Sequence, residues 1–256
     1  MVKISVITPC FNARATLAQC LESVAEQTHR DVEHVIVDGG SEDGSLAQLQ
    51  AEAARSPRLR LSSGPDRGIY DAMNKGIRGA SGDVIAVLNA DDRFFSRDTL
   101  ADVAGRFEQE GVDIVISDIS YEDREGNASR AWRAGPFMKG AFFQGWHPPH
   151  PGFFARRSLF ATLGGFDLSL SVAADFELMM RFMEHPSTSV AYLNQQTVIM
   201  RDDGVSGTLR GRLRGAFDLS RALYRHGLRG AIPWLLCKRY LSKSGAILLK
   251  RKPAGR

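Results

Sequence analysis

Short apolar runs alternate with helical patterns through the first 120 residues. Residues 3–8 are rich in β-branched side chains and end at Pro9, which predicts a buried strand. Over residues 13–27, apolar residues recur at spacings of three and four, as on one face of a helix. Continuing in this way predicts strands at 32–38, 59–62, 83–88 and 113–117 and helices at 44–55, 69–78 and 98–109. The alternation indicates an α/β fold with a mostly parallel central sheet covered by helices on both faces.

The alternation ends after Asp118. Residues 123–127 (DREGN) have turn chemistry and separate two short extended runs, and residues 135–152 are rich in Gly, Pro and aromatic side chains. Helices are expected again at 157–163 and 174–184, followed by extended runs near Val190 and Thr197. A loop-rich segment above a parallel sheet is a place where a substrate site can be built.

Composition excludes several classes of protein. With 43% hydrophobic and 24% charged residues in 256, the chain is neither collagen-like, nor a coiled coil, nor disordered throughout. It contains no run near the roughly 18 apolar residues of a membrane-spanning helix, and its first residues read as a strand, so a cytoplasmic protein is expected. Cys10, Cys20 and Cys237 are too scattered for a disulfide framework or a cysteine zinc site, and are expected to be apolar fillers.

Charge divides the chain near Gly204. Residues 205–256 carry thirteen lysines and arginines and one acid, Asp218, whereas the net charge of the whole chain is only +4. We therefore expect a body at 1–207 and a basic helical extension at 208–256 that meets an anionic partner. The arginines of 209–252 are interspersed with apolar residues such as Trp234, which suits an amphipathic helix on an anionic bilayer. The alternative is that these apolar residues pack on the body; nucleic acid is not expected, because no reader motif is present.

Three candidate ligand loops follow predicted strands. In parallel α/β sheets, ligands bind beyond the carboxyl ends of the strands, so these loops are expected to share one rim of the sheet. Adjacent carboxylates at Asp91 and Asp92 would suit Mg²⁺ or Mn²⁺ that bridges to a diphosphate. Alternatively, one of them caps the helix that starts near Arg97 and the other is merely solvated. The three loops are Pro9-Cys10-Phe11-Asn12, Asp38-Gly39-Gly40-Ser41 and Asn89-Ala90-Asp91-Asp92.

The first two loops offer groups for a flat ligand. Asp38 could accept hydrogen bonds from a base or a ribose, Gly39 and Gly40 allow a close backbone approach, and Phe11 could stack on the base. The alternatives are that Asp38 only begins a turn and that Phe11 belongs to the core.

Four segments taken in order, VITPCFN, VIVDGGSEDGS, GPDRGIYDAMNKGI and GDVIAVLNADD, resemble the family 2 glycosyltransferases and their GT-A fold. The later segments HPPHPGFFARRSLFATLGGFD and AADFELMMR are similar to the acceptor side of that family, including its catalytic aspartate. The resemblance implies a nucleotide-sugar-binding half at 1–120 and an acceptor-side half at 121–207.

The resemblance also implies roles for individual residues. Asn89, Ala90 and Asp91 occupy the place of the acidic DxD motif, where Asn89 replaces the usual first acid. Asp91 is then the expected metal ligand and Asp92 the second candidate, while Asn89 is left to bind ribose or phosphate. The residues implied in the nucleoside pocket are Pro9, Phe11, Asn12, Asp38 and Gly39.

The segment 66–76 matches the same family. Arg67 and Lys75 are suitable counterions for phosphates. In the alternative interpretation, the polar residues of this segment face water and Ile69, Met73 and Ile77 form a stripe that packs on the sheet. The residues that could contact the nucleotide or the sugar are Asp66, Asp71 and Asn74.

Asp175 stands at the position of the family's general base, which takes the proton of the acceptor hydroxyl. The usual preceding acid is Ala174 here, and the alternative role of Asp175 is a helix N-cap, which stabilises by about 1 kcal/mol. His150 matches the family's histidine before an aromatic-rich strand, with a role at the diphosphate or the acceptor. His147 lies close by, but the intervening prolines argue against a zinc site.

The activity implied is transfer of a sugar, with inversion, from a nucleotide diphosphate sugar to a hydroxyl of a glycan or a polyisoprenoid-linked glycan. UDP is the carrier expected first, before GDP and dTDP, with Mn²⁺ or Mg²⁺ as cofactor. The setting expected is bacterial surface polysaccharide synthesis, in the cytoplasm or peripherally at the inner face of the membrane. Because Asn89 and Ala174 replace acids, a catalytically silent nucleotide-sugar-binding or scaffold protein remains an alternative, and so does an adaptor that works through its basic tail.

Overall fold

The first half of the chain is a regular α/β unit in the computed structural model, which describes residues 1–123, 125–202 and 209–226. Its elements agree with the predicted ones to within about four residues. The strands are β1 (Ile4–Cys10), β2 (Val32–Asp38), β3 (Leu59–Ser63) and β4 (Val84–Val87). The helices are α1 (Leu17–Ala25), α2 (Ser45–Ala53), α3 (Ile69–Gly79) and α4 (Thr99–Glu110).

The second half adds strands to the same sheet. The extended runs predicted near Val190 and Thr197 are one continuous strand, and a two-residue strand before α4 was not predicted. The further strands are β5 (Arg93–Phe94), β6 (Ile114–Glu122), β7 (Ala128–Trp132), β8 (Phe153–Arg156) and β9 (Val190–Arg201). The further helices are α5 (Arg157–Leu163), α6 (Ala174–Met183) and α7 (Leu209–Arg225), with 3-10 turns at Ala141–Gln144 and His150–Gly152.

The strand order is β3-β2-β1-β4-β8-β6-β9-β5, with β7 paired to β6. The α/β fold class is confirmed, and the first four strands are parallel as predicted. The sheet as a whole is mixed rather than mostly parallel, because β8 lies between β4 and β6 and runs antiparallel to both. A chain that returns to the sheet from the rim must run backwards along it, and this places the start of β8 beside the ends of the parallel strands.

Apolar stripes of the helices seal both faces of the sheet. In α1, Leu17, Cys20, Leu21 and Val24 are buried, as the spacing predicted. In α3, Met73 and Ile77 are buried, but Ile69 is 47% exposed at the rim, so the predicted stripe is shorter by one residue. Burial of one such side chain contributes about 1.5–3 kcal/mol. Cys10 and Cys20 are buried free thiols, in agreement with their expected role as fillers, while Cys237 lies outside the described residues.

Helix α7 is packed onto the body. Leu219, Ala222 and Leu223 are buried in the core cluster that also contains Leu178 and Phe182 of α6. For this helix, therefore, the packing alternative is correct. Residues 227–256, including Trp234, lie outside the described residues, and the division at 207 stays a prediction. None of the described helices is both long and apolar enough to cross a membrane.

Candidate functional site

The candidate site lies at the rim where β1, β2, β3 and β4 end and β8 begins. Parallel strands deliver their following loops to the same edge of a sheet. The antiparallel β8 delivers its preceding residues to that edge, which is how His150 arrives beside the loop after β4. The rim therefore unites loops from both halves of the chain.

Asp38 at the end of β2 organises its own loop. The carboxylate is fully buried and accepts hydrogen bonds from Ser63 Oγ at 2.6 Å, from the Gly40 amide at 3.1 Å and from the Ser41 amide at 3.2 Å. Burial alone would raise the pKa of Asp38, but the hydrogen bonds from Ser41, Ser63 and Gly40 outweigh it and hold this pKa below its ordinary value. The turn interpretation of Asp38 is thus correct, and its contact with a base stays a prediction.

Phe11 after β1 projects from the rim. Its side chain is 65% exposed, so it is not a core residue. Beside it, a Cβ on Gly39 would lie 2.5 Å from Asp66 Oδ2 and 3.3 Å from Phe11 Cδ2. Only glycine lets these two side chains approach the backbone of the Asp38 loop. The exposed ring of Phe11 and the Asp66 carboxylate therefore both lie beside the backbone of Gly39.

Asn12 binds the backbone of the loop after β2 with its side chain. It has a φ of 50° and its Oδ1 accepts a hydrogen bond from the Glu42 amide at 3.0 Å. Pro9, also predicted at the nucleoside pocket, lies inside β1 and pairs with Val37.

An ionic cluster surrounds Asp71 in the first turn of α3. Asp71 is buried, accepts a hydrogen bond from the Arg67 amide at 3.1 Å and lies 3.5 Å from Lys75 Nζ. Lys75 also donates to the Pro65 carbonyl at 2.8 Å. The Arg67 side chain is 76% exposed and is the cation of this cluster best placed to meet a phosphate.

Asn74 binds the backbone of Phe166 on the other half of the chain. Its Nδ2 donates to the Phe166 carbonyl and its Oδ1 accepts from the Phe166 amide, both at 2.9 Å. This double contact gives Asn74 a structural task, while its predicted contact with a ligand is left to experiment.

The loop after β4 contains an exposed and a buried aspartate. Asp91 is exposed, whereas Asp92 is 2% exposed and accepts a hydrogen bond from Asn89 Nδ2 at 3.1 Å. Burial, and then the charge of Asp91, raise the pKa of Asp92 well above its ordinary value. The N-cap of α4 is Asp98, so the alternative that Asp91 or Asp92 caps this helix is wrong.

The residues present suit a divalent cation that is bound jointly by this loop and by a diphosphate. Within the described ranges, no group of three or more His, Cys, Asp and Glu side chains forms a cage for a metal. Asn89 Oδ1 is buried without a hydrogen-bond partner, and it lies in the same loop as the exposed Asp91 carboxylate. Two hard oxygen donors suit Mg²⁺ or Mn²⁺, which commonly takes its other ligands from water and phosphate. Ala90 is buried between them.

Asp175 lies in the first turn of α6 and is linked to this loop through His150. The N-cap of α6 is Ala173, so Asp175 is not the cap of its helix. Its Oδ1 accepts a hydrogen bond from the Phe176 amide at 2.8 Å and lies 3.3 Å from the Tyr70 hydroxyl, and its Oδ2 lies 3.7 Å from His150 Nδ1. The carboxylate retains 29% of its exposure, so a hydroxyl group can reach it.

His150 links the two sides of the site. Its Nε2 lies 3.4 Å from Asn89 Nδ2, and its Nδ1 faces Asp175. Burial lowers the pKa of His150, although the carboxylates of Asp175 and Asp91 oppose this effect. We therefore expect a neutral imidazole at pH 7. An apolar cavity of about 20 Å³, lined by Phe153, Phe166 and Leu178 among others, adjoins the pair.

Sequence reasoning missed two residues near Asp175. Tyr70 lies within a recognised segment, between Ile69 and Asp71, but nothing in its local pattern indicates a contact 105 residues away. Asp218 reaches the loop before Asp175 from α7. The sequence signal for Asp218 was that it is the single acidic residue of the basic segment 205–256.

The sequence is similar to a known protein family and to several named proteins. The profile of the family described as "Glycosyl transferase family 2" matches residues 5–164. A protein of Mycobacterium tuberculosis and Mycobacterium bovis named "PGL/p-HBAD biosynthesis glycosyltransferase" is 35% identical over 74% of this chain and 73% of its own length. The O-antigen biosynthesis protein RfbC of Myxococcus xanthus is 29% identical over 81% of this chain, but only over 16% of its own.

Solved structures share the fold. S. aureus TarS 1–349 in complex with UDP-GlcNAc superposes with a TM-score of 0.74 at 17% identity, covering 98% of this chain and 76% of that one. The mannosyltransferase PcManGT from Pyrobaculum calidifontis, in complex with GDP-Man and Mn²⁺, superposes with a TM-score of 0.66 at 21% identity, covering 100% of this chain and 76% of that one. At these identities the likeness concerns the fold.

Proposed function

Because this chain belongs to glycosyltransferase family 2, we propose that it transfers a sugar, with inversion, from a nucleoside diphosphate sugar to a hydroxyl group. The observation that carries the proposal is the contact of Asp175 with His150, which itself contacts Asn89 in the loop after β4. These two contacts connect a base on the acceptor side of the site to the loop that would hold the diphosphate. UDP is the carrier we propose first, as in the complex of TarS.

Asp175 would accept the proton of the acceptor hydroxyl as the hydroxyl oxygen attacks the anomeric carbon. The bond from that carbon to the diphosphate breaks on the opposite face, which inverts the configuration, and the nucleoside diphosphate leaves with the electron pair. A bound Mn²⁺ or Mg²⁺ supplies positive charge for the leaving diphosphate. Arg67 adds charge from the chain itself, and Phe11 holds the base.

The acceptor we propose is a hydroxyl of a glycan or a polyisoprenoid-linked glycan of the bacterial surface. The name of the Myxococcus relative, an O-antigen biosynthesis protein, supports this class of product. His150, which lies beside both Asp175 and the loop after β4, would orient either the diphosphate or the acceptor.

Calorimetric titration of UDP, GDP and dTDP, each with Mn²⁺ and again with EDTA, tests the donor site. We expect one nucleotide to bind, with an affinity that falls when EDTA removes the metal. Phe11→Ala should weaken that binding by about 10-fold, because one stacked base contributes about 1–3 kcal/mol. Phe95→Ala is the matched control, since Phe95 is 46% exposed at the start of the segment that leads to α4. Absence of binding by all three nucleotides would contradict the proposal.

We also propose that the protein works at the inner face of the membrane through α7. Phe217 and Tyr224 are 69% and 54% exposed on one face of this helix, with Arg221 between them. Aromatic rings and arginines together suit an anionic lipid surface. The full chain should sediment with phosphatidylglycerol vesicles, less so at higher salt and after Phe217→Ser. Equal sedimentation with neutral phosphatidylcholine vesicles would refute this interpretation.

A further inference from the structure

The acidic residue of the basic segment 205–256 is buried against the loop that precedes the proposed base. Asp218 on α7 is 5% exposed. Its Oδ2 accepts hydrogen bonds from the Ser171 amide at 2.6 Å, from the Val172 amide at 2.7 Å and from Ser171 Oγ at 3.1 Å. A carboxylate is costly to bury, and three donors converging on one oxygen offset that cost.

The same loop is bound from its other side by α3. The Tyr70 hydroxyl lies 2.9 Å from the Val172 carbonyl and 3.3 Å from Asp175 Oδ1. Burial, and then the charge of Asp175, raise the pKa of Tyr70, so its hydroxyl keeps its proton and remains a donor. Because the carbonyl is the nearer acceptor, Asp175 retains free lone pairs for the proton of the acceptor.

The peptide of Val172 therefore connects two elements that flank the base. Its amide donates to Asp218 of α7, and its carbonyl accepts from Tyr70 of α3. Asp175 follows three residues later, in the first turn of α6. Close packing reinforces the arrangement, since a Cβ on Gly215 of α7 would already touch the side chain of Val172 at 3.5 Å.

We propose that Asp218 is a positioning residue that holds Ser171 and Val172, and through them Tyr70 and Asp175, in the geometry required for proton transfer. This inference rests on the proposed function, because it presumes that Asp175 is the base. It assigns to the first helix of the basic segment a task in the reaction, in addition to any contact with lipid. A misplacement of a catalytic group by about 1 Å can lower a rate by as much as 100-fold.

The test compares Asp218→Ala with Leu219→Ala in the full chain. Leu219 is the next residue of α7 and is 2% exposed, so its truncation loosens the same helix while leaving the carboxylate in place. The rate measured is nucleoside diphosphate release from the UDP-, GDP- or dTDP-sugar that turns over, with octyl glycosides or water as acceptor. We expect Asp218→Ala to lower kcat by about 10-fold or more and to leave the donor KM unchanged. Leu219→Ala should retain the kcat of the unmodified protein when it is assayed below the melting temperature of the variant. Asp218→Asn, which retains one oxygen acceptor, should recover most of kcat.

Hydrogen exchange provides a second readout that needs no turnover. In Asp218→Ala, the amides of Ser171 and Val172 should exchange faster than in Leu219→Ala. Unchanged exchange at these amides, or equal kcat in the two alanine variants, would overturn the inference. Absence of turnover by the unmodified chain would instead count against the proposed function, and the inference would be overturned with it, whatever the exchange at Ser171 and Val172.

Discussion

Replacing Asp175 with asparagine is expected to lower kcat for sugar transfer by about 100- to 10,000-fold and to leave nucleotide affinity unchanged. Asparagine preserves the shape of the side chain and can still accept the hydrogen bond from the Phe176 amide. It cannot take a proton from the acceptor hydroxyl. The measurement pairs steady-state transfer rates with calorimetric titration of the nucleotide, so that loss of catalysis is separated from loss of binding.

The matched control for this variant is Glu184→Gln. Glu184 stands at the other end of α6 and accepts a hydrogen bond from the Gly140 amide at 2.9 Å, so the change removes the same charge from the same helix. Its transfer rate should stay within about 3-fold of the unmodified protein. Turnover of Asp175→Asn at the unmodified rate would show that another group is the base. Nucleotide binding without turnover by the unmodified chain would instead favour the silent binding protein.

Asp91→Asn is expected to lower the nucleotide affinity measured with Mn²⁺ by about 10- to 100-fold, which corresponds to about 1.4–2.8 kcal/mol. Asp91 is the exposed carboxylate of the loop after β4, and the change to an amide removes the anionic oxygen donor that this loop would offer to a cation. The affinity measured with EDTA should not change. The difference between the two titrations therefore isolates the contribution of the metal.

Asp92→Asn tests the same interpretation from the opposite direction. Because burial and the charge of Asp91 raise the pKa of Asp92, its carboxyl is the poorer anion of the two, and an amide of equal shape replaces it with less loss. We expect this variant to retain most of the metal-dependent affinity. If Asp92→Asn abolished that affinity and Asp91→Asn preserved it, the roles of the two aspartates would be exchanged.

Local pattern accounts for much of the fold. Of the strands that meet at the rim, β1, β2 and β4 are short, buried and rich in β-branched residues, and α5 runs over Arg157–Leu163 as predicted. Periodicity describes which face of an element is buried, and it needs no knowledge of the neighbours. The direction of β8 was beyond this reasoning, because it depends on the path of residues 123–152, which have little periodicity of their own. β5 escaped prediction because a strand of two residues is too short to show a periodicity.

Some residues of the candidate site were likewise predictable from the sequence, and others were not. Asp175, His150 and Asp91 follow from the resemblance to the family, and the structure brings Asp175 and His150 into contact. Tyr70 and Asp218 act through contacts with residues 105 and 46 positions distant, and nothing in their own segments indicates these contacts. Asn74 was named from the resemblance, but its contact with Phe166, 92 positions away, was not predicted. The role of Asp38 could not be predicted from this residue alone, because its buried carboxylate stabilises the turn that contains it.

The placement of β8 has a consequence for engineering acceptor preference by exchanging halves between relatives. This strand comes from the carboxyl-terminal half, yet it pairs with β4 on one side and with β6 on the other. A chimaera joined near residue 120 would therefore transplant an inner strand of the sheet, and each graft would have to match two foreign neighbours at once. Acceptor preference is more safely exchanged through the loops around β8, with the strand itself left in its native setting.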